Sequence, residues 1–328
     1  MILSVTLNPC IDHTLCVDGL KVHDTNKVVR IETDAGGKGV NLSRIVAELG
    51  GETVATGFLG GDCGHIVHRT LERQGVVSDF VDVQGETRTN FSVESGDGPP
   101  TTFNSPGAPG NLSDWKKLIA KVGVLATKAD WVATGGSLPP GVPPDSYAVL
   151  GRLVRDSGAN WALDADGGAL KLGLAAGPDM VKPNLREGER LLGTSMKNLR
   201  QALAAVKDIH KLLKQNGSRL SLAAISLGDK GAVLATGDGA FFALPPSVGA
   251  NSTIGSGDSF LGAFLLSLTK GSDHQVALRM GCAAGAATAL SDGTRIGSAK
   301  DTERLQSKVV VTAEHELAPS ELDGWPRP

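Results

Sequence analysis

Residues 253–264 read TIGSGDSFLGAF and join a Gly-Ser-Gly turn to a long apolar run. Apolar side chains recur at helical spacing after the turn, so a buried helix is predicted to begin at about Gly257. Backbone N–H groups at such a helix start point toward one spot, and the helix dipole adds partial positive charge there. The stretch therefore predicts an anion-binding turn made of Gly255, Ser256 and Gly257.

Asp258 stands in the first turn of this predicted helix. Beside a bound phosphate, its carboxylate can accept the proton of an attacking hydroxyl. Aspartate is also common at helix starts, where it does no more than cap the helix. From this stretch alone both interpretations stay open, and the rest of the chain has to decide between them.

The composition is that of an ordinary globular protein. The 328 residues are 41% hydrophobic and 20% charged, with a formal net charge of −3. This balance leaves no basic footprint for nucleic acid or anionic membrane, and an aromatic content of 4% argues against a base-stacking surface. We therefore expect small-molecule ligands and neither nucleic acid nor a membrane as partner.

The N-terminus and the cysteines favour a cytoplasmic location. The first apolar run has no basic segment before it and meets Pro9 too early for a signal peptide. No apolar run approaches the ~18 residues that a membrane span needs. Cys10, Cys16, Cys63 and Cys282 lack paired metal-ligand spacing, so we expect free thiols and no zinc.

Strand-like and helix-like segments alternate from residue 53 onward. Strand-like runs are predicted at 54–59, 131–134, 161–163, 222–226 and 232–235. Helical runs are predicted at 66–74, 115–126, 147–154, 199–213 and 276–290. Alternation at this spacing implies β-α-β units, and hence an α/β fold with a mostly parallel central sheet flanked by helices.

Three segments interrupt the alternation. A hairpin over 17–31 and strands around 80–83 and 90–93 are predicted to form a small separate sheet, a β lid over the ligand edge of the main sheet. We expect a main α/β domain of residues 1–9, 34–84 and 106–315, a lid of residues 10–33 and 85–105, and a peripheral tail of residues 316–328.

A second glycine-rich turn leads into a helix at residues 34–44, DAGGKGVNLSR. It brings two polar side chains, Lys38 and Asn41, to the helix start. It is not a P-loop, because Lys38 is followed by glycine rather than by Ser or Thr. Two glycine turns with different flanking chemistry predict two anions or polyols held face to face, unless both are unrelated helix starts.

Other polar residues follow predicted strands. Asp12 comes after the first strand, and Ser137 comes after the strand at 131–134. Arg88 lies between two lid segments, where its guanidinium could clamp a phosphate through two hydrogen bonds. A lone arginine on a strand is more often a solvated charge, so this interpretation needs support from elsewhere.

Asn184 and Glu187 are three residues apart after a short apolar segment. Their oxygens could hold a hydrated Mg²⁺, which keeps several of its waters. The same spacing is that of a capping box, so both interpretations stay open. Asp164 and Asp166 end another predicted strand and are rival carboxylates, but no glycine-rich anion turn accompanies them. They therefore rank below Asp258 as the base.

In combination, these motifs resemble the ribokinase/PfkB family of carbohydrate kinases along nearly the whole chain. The matching segments, in family order, are TLNP at 6–9 with Asp12, GGKGVN at 36–41, TRTN at 87–90, GSLPPG at 136–141, KPN at 182–184 with Glu187, SLG at 226–228 and GSGD at 255–258. The resemblance implies a ribokinase-like fold, a lid that closes over the sugar, and the use of ATP with Mg²⁺.

The resemblance also implies roles for individual residues. Asp258 matches the catalytic base, and Gly255, Ser256 and Gly257 match the anion hole. The nucleotide and Mg²⁺ side is matched by Lys182, Asn184, Glu187, Ser226, Gly228 and Gly231, with Glu187 reaching the metal through water and with Cys282 and Ala286 lining the adenine pocket. A monovalent cation such as K⁺ is implied at Ser252, Ile254, Thr288, Ser291, Gly293 and Arg295.

On the substrate side, the chain resembles the phosphosugar branch of the family, of the 1-phosphofructokinase and tagatose-6-phosphate kinase type. The TLNP opening with Asp12, and Arg88 before Asn90, carry this likeness. The implied substrate-binding residues are Asp12, Gly37 and Asn41 around the sugar hydroxyls, Lys38 and Arg88 with Ser137 nearby around the existing phosphate, and Asn90.

The expected function is an ATP-dependent kinase that converts D-fructose 1-phosphate to fructose 1,6-bisphosphate. Tagatose-6-phosphate kinase and 6-phosphofructokinase stay open as alternatives, because residues 106–108 and 284–295 look as much like the latter while Lys38 argues mildly against it. A non-catalytic sugar-phosphate-binding protein is the third alternative, and it would need a damaged base or anion hole. A homodimer through the lid is also expected, since an exposed sheet edge invites pairing.

Overall fold

The computed structural model describes residues 1–96, 98 and 100–326, which form two β-sheets surrounded by helices. Asp97 and Pro99 of the predicted lid, and Arg327 and Pro328 of the predicted tail, lie outside the described residues.

The main sheet has 11 strands within the described residues. Numbered in chain order, they are β1 Ile2–Thr6, β4 Thr53–Leu59, β5 Val77–Ser78, β6 Val81–Asp82, β9 Trp131–Gly135, β10 Asn160–Asp164, β11 Met180–Val181, β12 Leu222–Ser226, β13 Ala232–Thr236, β14 Gly239–Leu244 and β15 Val310–Ala313. The order is β15-β14-β13-β12-β11-β10-β9-β1-β4-β5, and β6 also pairs with β4. Pairing is parallel from β12 to β5 and antiparallel from β12 to β15. The predicted mostly parallel sheet is confirmed.

The second sheet is the lid, with β3-β2-β7-β8 as its order. Its strands are β2 Cys10–Val17, β3 Val28–Gly36, β7 Arg88–Glu94 and β8 Thr101–Phe103. A hairpin is present as predicted, but its strands extend beyond 17–31 on both sides. Residues 18–27 instead form a connection, in which the Asn26 amide both accepts from Lys21 N at 2.8 Å and donates to Lys21 O at 2.7 Å.

The prediction that the segment around 80–83 belongs to the lid is wrong. Its strand β6 pairs in parallel with β4 of the main sheet, with Val81 opposite Phe58. Both side chains are buried in the main core. Burial of Val81 against that core decides the pairing, because a two-residue strand carries little pairing preference of its own.

Helices cover both faces of the main sheet. They are α1 Lys38–Glu48, α2 Gly61–Arg73, α3 Leu112–Ala126, α4 Ser146–Ser157, α5 Gly167–Leu174, α6 Leu185–Leu192, α7 Leu199–Gln215, α8 Ser256–Thr269, α9 His274–Ala289, α10 Ala299–Gln306 and α11 Pro319–Leu322. Side chains alternate across each strand. Leu3 and Val5 of β1 therefore join the core under α3, α4 and α7, while Ile2 joins the core under α1, α8 and α9.

The helices α1 and α8 lie side by side and bring their N-termini together. Phe260, Leu261 and Phe264 of α8 are all buried. Gly262 permits the close approach, because a Cβ there would lie 2.5 Å from Ile45 Cγ2 and 3.0 Å from Leu42 O of α1. The two glycine-rich turns found in the sequence consequently meet at one place.

The predicted tail lies against α7 and contains the short helix α11. Leu317 is buried, and Leu199 N donates to Gly324 O at 2.9 Å. Lys230 Nζ lies 4.7 Å from the centroid of the Trp325 ring. None of the helices in the described part of the chain combines the length and apolar character of a membrane span.

Candidate active site

A cavity of about 810 Å³ lies where β10, β11 and β12 end and where α1, α6 and α8 begin. This is the carboxyl edge of the parallel strands, where ligands bind in open α/β sheets. It gathers many of the predicted site residues. They are Lys38, Lys182, Asn184, Glu187, Ser226, Gly228, Gly231, Ser256, Gly257, Asp258, Cys282 and Ala286.

The start of α8 has the geometry of an anion site. Gly255 caps the helix with φ 77°, in the left-handed region that favours glycine. Ser256 Oγ is buried, and within the described residues it has no hydrogen-bond partner. A Cβ at Gly257 would lie 3.2 Å from Lys182 Nζ, so a cation faces the turn. Ser256 N donates only a long 3.4 Å hydrogen bond to Thr253 O. Helix-start N–H groups, the buried Ser256 hydroxyl and an ammonium group together fit a phosphate.

Asp258 is fixed by the neighbouring helix. Its Oδ2 accepts a hydrogen bond of 2.9 Å from Asn41 Nδ2 of α1, and no side chain caps the α8 start in the described structure. Burial raises the pKa of Asp258 to about 6, with a further contribution from the nearby Asp164 carboxylate, while Lys38, Asn41 and Lys182 oppose the rise. Asp258 is therefore mostly ionised at neutral pH, with a proton affinity suited to a general base.

A chain of charges runs along the cavity wall beside Asp258. Asp164 Oδ1 lies 2.5 Å from Lys38 Nζ, and Asp164 Oδ2 lies 3.1 Å from Lys182 Nζ. Burial on its own lowers the pKa of Lys38, but the carboxylates of Asp164, Glu187 and Asp258 outweigh it and hold that pKa above its usual range. Lys38 therefore stays charged at the cavity.

Asn184 and Glu187 form a capping box at the start of α6. Asn184 Oδ1 accepts from Glu187 N at 2.9 Å, and Glu187 Oε2 accepts from Asn184 N at 2.8 Å. Glu187 Oε1 lies 3.8 Å from Lys38 Nζ at the cavity wall. The capping box predicted as one alternative is therefore present, and Glu187 Oε1 stays available for a metal-bound water. Within the described residues no three His, Cys, Asp or Glu side chains converge into a metal cluster.

The far end of the cavity is lined by the end of β12, by the turn that follows it and by α9. Ser226 ends β12, and Gly228 and Gly231 follow it with φ 69° and 97°. A Cβ at Gly231 would lie 2.0 Å from Ala243 O, so this turn requires glycine. Cys282 and Ala286 of α9 are buried in the wall, and burial raises the pKa of the Cys282 thiol to about 12. Apolar wall residues beside a tight glycine turn suit a flat base.

The predicted sugar-binding residues lie at the base of the lid. Asp12 Oδ1 of β2 accepts from Asn90 Nδ2 of β7 at 2.9 Å. A Cβ at Gly36 would lie 2.0 Å from Asp12 Oδ2, so glycine is needed there. Gly37 caps α1 with φ 113° and leads directly to Lys38. The lid and the start of α1 are therefore continuous at this point.

Arg88 and Ser137 are joined through Asn8. Arg88 Nε donates to Asn8 O at 3.2 Å, and Asn8 Nδ2 donates to Ser137 Oγ at 3.1 Å. Arg88 Nη1 also donates to Ser105 O at 2.9 Å. The two predicted phosphate-binding cations thus have different surroundings: Lys38 is bound by carboxylates, and Arg88 by backbone carbonyls.

The residues predicted to bind a monovalent cation lie behind the α8 start. Ser252 N donates to Ala289 O at 3.3 Å, which joins the segment before α8 to the end of α9. The Thr288 hydroxyl bonds Ser259 Oγ at 2.7 Å and Gly297 N at 2.9 Å, and Arg295 lies 3.9 Å from Glu32 of the lid. The remaining predicted members are Ile254, Ser291 and Gly293.

Asp164 is the site residue whose role the sequence did not reveal. The sequence ranks Asp164 below Asp258 as the base, whereas the structure places it between the ammonium groups of Lys38 and Lys182. Asp166, the other rival, caps α5 and pairs with Arg190 at 2.7 Å. One signal in the sequence could have indicated this role. Asp164 ends one predicted strand and Lys182 follows the next short apolar segment, so parallel pairing of the two brings their side chains to the same edge of the sheet.

Comparisons with known proteins agree with this architecture. The model of the pfkB family carbohydrate kinases matches residues 5–301. The chain is 36% identical over 284 residues to the 1-phosphofructokinase of Rhodobacter capsulatus, covering 86% of this chain and 88% of that protein. It is 30% identical over 312 residues to the 1-phosphofructokinase of Bacillus subtilis, covering 95% and 99%. The crystal structure of Escherichia coli phosphofructokinase-2 in complex with potassium superposes with a TM-score of 0.85 at 29% identity, covering 94% of this chain and 98% of that one.

Proposed function

Because the chain belongs to the pfkB family of carbohydrate kinases, which transfer a phosphoryl group to a sugar hydroxyl, we propose that it phosphorylates D-fructose 1-phosphate to fructose 1,6-bisphosphate with ATP. Two relatives named 1-phosphofructokinase, at 36% and 30% identity over most of the chain, support this substrate. The family and the ribokinase-like fold expected from the motifs are confirmed. The proposal depends most on one observation: Asp258 shares a cavity with the glycine-rich α8 start, Lys38 and Lys182.

In the proposed reaction Asp258 accepts the proton of the attacking sugar hydroxyl. The N–H groups at Gly255, Ser256 and Gly257 stabilise the negative charge on the transferred phosphoryl group, and Lys182 faces the same turn. Such catalysis depends on positioning and electrostatics, since the protein forms no covalent bond to the phosphoryl group.

The substrate is held on the lid side of the base. Lys38 and Arg88, with Ser137 nearby, bind the phosphate that the sugar already carries. Asp12, Gly37 and Asn41 bind its hydroxyls, and Asn90 orients Asp12 through their 2.9 Å hydrogen bond. In Asn41 one amide contacts both the sugar and the base, which aligns the attacking hydroxyl with Asp258.

ATP occupies the remainder of the cavity, with its phosphates near Lys182, Asn184 and Glu187. Mg²⁺ fits this site, because Glu187 Oε1 faces the cavity while the other carboxylate oxygen caps α6. When bound, the metal neutralises phosphate charge. The adenine base lies near Ser226, Gly228, Gly231, Cys282 and Ala286. Residues Ser252, Ile254, Thr288, Ser291, Gly293 and Arg295 would hold a K⁺, mostly through backbone carbonyls. A cytoplasmic location is part of the proposal, supported by four cysteines that are all free thiols in the described structure.

Steady-state kinetics with three phosphosugars test the substrate. We expect kcat/KM for fructose 1-phosphate to exceed that for tagatose 6-phosphate and fructose 6-phosphate by at least roughly tenfold, the discrimination that about 1.4 kcal/mol provides. A higher kcat/KM for tagatose 6-phosphate or fructose 6-phosphate would contradict the proposal and identify that sugar as the substrate. Binding of all three sugars without any ATP turnover would favour the non-catalytic alternative.

The variant Arg88→Met tests the phosphate contact. We expect KM for the phosphosugar to rise about 10- to 100-fold while KM for ATP stays within about twofold, because a charge-assisted hydrogen bond contributes roughly 1.5–3 kcal/mol. Arg200→Met serves as the matched control, since Arg200 is exposed and pairs with Asp323 away from the cavity. Equal increases in both KM values would contradict the assignment.

We also propose that the lid forms a homodimer interface. Ile31, Leu15 and Val93 lie in one cross-strand row, and Phe91 and Phe103 pair in the adjacent row, all on the face opposite the buried Glu32. Ile31 is 60% and Phe103 57% exposed. His13 stacks on Phe91 in the same row, and the face is otherwise mainly apolar. An exposed apolar face on an open sheet favours association. Light scattering should show a dimer that Ile31→Glu converts to monomer, and a monomeric parent protein would refute the interface.

A further inference from the structure

We infer that Asp164 is a positioning residue: its carboxylate holds the ammonium groups of Lys38 and Lys182 beside the α8 start and so keeps Lys38 from pairing with Asp258. The inference rests on the proposed role of Asp258 as the base. It assigns Asp164 no contact with the sugar and no part in proton transfer.

The geometry shows both oxygens of Asp164 engaged. Lys38 Nζ donates to Oδ1 at 2.5 Å, and Lys182 Nζ lies 3.1 Å from Oδ2. Asp164 and Lys182 side chains are only 4% and 3% exposed, whereas Lys38 is 31% exposed at the cavity. A carboxylate held between two cations in this way cannot act as a base, because accepting a proton would break both ion pairs.

The backbone around Asp164 is rigid. It is the last residue of β10, and its carbonyl accepts from Gly136 N at 3.0 Å. A Cβ at Gly135 would lie 2.3 Å from the same carbonyl, so the two strands approach each other closely. The Tyr147 hydroxyl donates to Gly135 O at 2.6 Å, and it also lies 3.0 Å from Gly136 O. The carboxylate is therefore a fixed point to which the long lysine side chains are tied.

The competition for Lys38 follows from the charges that face Asp258. Lys38 reaches the Asp258 region from α1, Lys182 from the end of β11, and Asp164 from the end of β10. The Asn41 amide bonds Asp258 directly, Glu187 lies 3.8 Å from Lys38, and the Cys10 thiol is a further titratable neighbour. Without the Asp164 charge, Lys38 is left with two carboxylates, Glu187 and Asp258, and Glu187 Oε2 already accepts from Asn184 N. An ion pair of Lys38 with Asp258 would lower the proton affinity that the base needs.

Asp164 has a second effect on the same group. Its negative charge contributes to raising the pKa of Asp258, while the pKa of Asp164 itself is held low by Lys182 and Lys38 against the effect of burial. Neutralising Asp164 therefore removes a nearby anion and releases a cation. Both changes shift the protonation of Asp258 in the same direction, toward lower pH.

The test is the pH profile of kcat/KM for the full-length Asp164→Asn variant, measured with whichever phosphosugar the parent enzyme turns over fastest. We expect the acid limb to move down by about one pH unit or more, and kcat at pH 8 to fall at least roughly tenfold. ATP binding measured by calorimetry should change less than kcat. A purely structural role would not move the acid limb.

Asp179→Asn is the matched control, because Asp179 is also buried and pairs with Arg219 at 2.8 Å, at the opposite end of β11. It should leave the acid limb unchanged. An unchanged acid limb in Asp164→Asn, or an equal shift in Asp179→Asn, would overturn the inference. Failure of the proposed base is distinguishable, since it would appear as near-normal kcat in Asp258→Asn.

If Asp164→Asn does not fold, Lys182→Met and the double variant Asp164→Asn/Lys182→Met carry the test. The double variant removes both members of the buried Asp164–Lys182 pair, so neither is left buried without the other, while Lys38 keeps Glu187 at 3.8 Å. Lys182→Met alone should move the acid limb to higher pH, because a cation near Asp258 is lost. Adding Asp164→Asn should then move it back down, and identical acid limbs for the two variants would overturn the inference.

Discussion

The starts of α1 and α8 use the same backbone device for opposite chemistry. Each is capped by a glycine with positive φ, Gly37 at 113° and Gly255 at 77°, and neither has a side-chain cap in the described structure. The first turn of α1 carries the cation Lys38, and the first turn of α8 carries the carboxylate Asp258. The bond from Asn41 to Asp258 ties the two turns together at 2.9 Å.

The difference shows how one arrangement serves two charge types. A bare helix start attracts anions whatever side chain accompanies it. At α1 the added lysine strengthens this attraction. At α8 the added carboxylate weakens the attraction for anions. A carboxylate at this position is useful when it removes a proton from a hydroxyl. The pair thus separates phosphate binding from proton removal.

The largest expected effect comes from neutralising the α8 carboxylate. Asp258→Asn should lower kcat by about 10³-fold with ATP and phosphosugar binding retained, because a general base contributes roughly 10²–10⁴. Asp273→Asn is the matched control, since Asp273 truly caps its helix by accepting from Val276 N at 2.8 Å. Near-normal kcat in Asp258→Asn would mean that the α8 turn does not remove the proton, and so does not differ in function from the α1 turn.

Removing the α1 cation should have the next largest effect. Lys38→Met is expected to lower kcat/KM for the phosphosugar about 100-fold, since a charge-assisted contact to phosphate is lost. Lys117→Met, at the exposed start of α3, provides a control in which the lysine pairs only with Asp114. Comparable losses in both variants would show that α1 contributes general charge rather than a specific contact.

Activity should depend on pH through Asp258. Its pKa of about 6 lies above the ordinary value, so the ionised base is lost as pH falls through 6. We expect kcat/KM to fall roughly tenfold per pH unit below about pH 6. Rate measurements from pH 5 to 8 check this. A profile flat down to pH 5 would mean that the two turns do not differ in proton affinity as described.

The two capping glycines should differ in their sensitivity to alanine. At Gly37 a Cβ would meet Thr6 Cγ2 at 2.9 Å and Pro9 Cα at 3.2 Å, whereas at Gly255 the nearest atom is 3.6 Å away. We expect Gly255→Ala to lower the free energy of unfolding by roughly 1–2 kcal/mol through backbone strain alone, and Gly37→Ala by about 3 kcal/mol. Urea denaturation compares them, and the reverse order would contradict the geometry.

The smallest expected effect is on stability. A carboxyl whose pKa is raised on folding destabilises the folded state above that pKa, so Asp258→Asn should stabilise the protein at pH 7.5. About 1 kcal/mol, or a rise in Tm of roughly 2 °C, is expected. The gain should shrink as pH falls below 6, where the folded carboxyl is protonated. A lower Tm of Asp258→Asn than of the parent protein at pH 7.5 would show that the ionised Asp258 carboxylate stabilises the folded state.

Local patterns were enough to predict the elements that build the site, whereas distant pairings were not. The start of α8 followed from apolar spacing behind a glycine turn, and the capping box was one of the two interpretations that the spacing of Asn184 and Glu187 offered. The position of β6 depended on packing with Phe58, which no local pattern records. Asp164 was underestimated for the same reason, because its partner Lys38 lies 126 residues away in the chain.

Gly262 allows α1 and α8 to pack closely, because any side chain at this position would meet Ile45 and the Leu42 carbonyl. The separation between proton acceptor and cation is thereby set by two packed helices of the main domain and not by the strands of the lid. Lid strands can consequently diversify over evolution to admit other sugars while the spacing of the reacting groups is inherited unchanged.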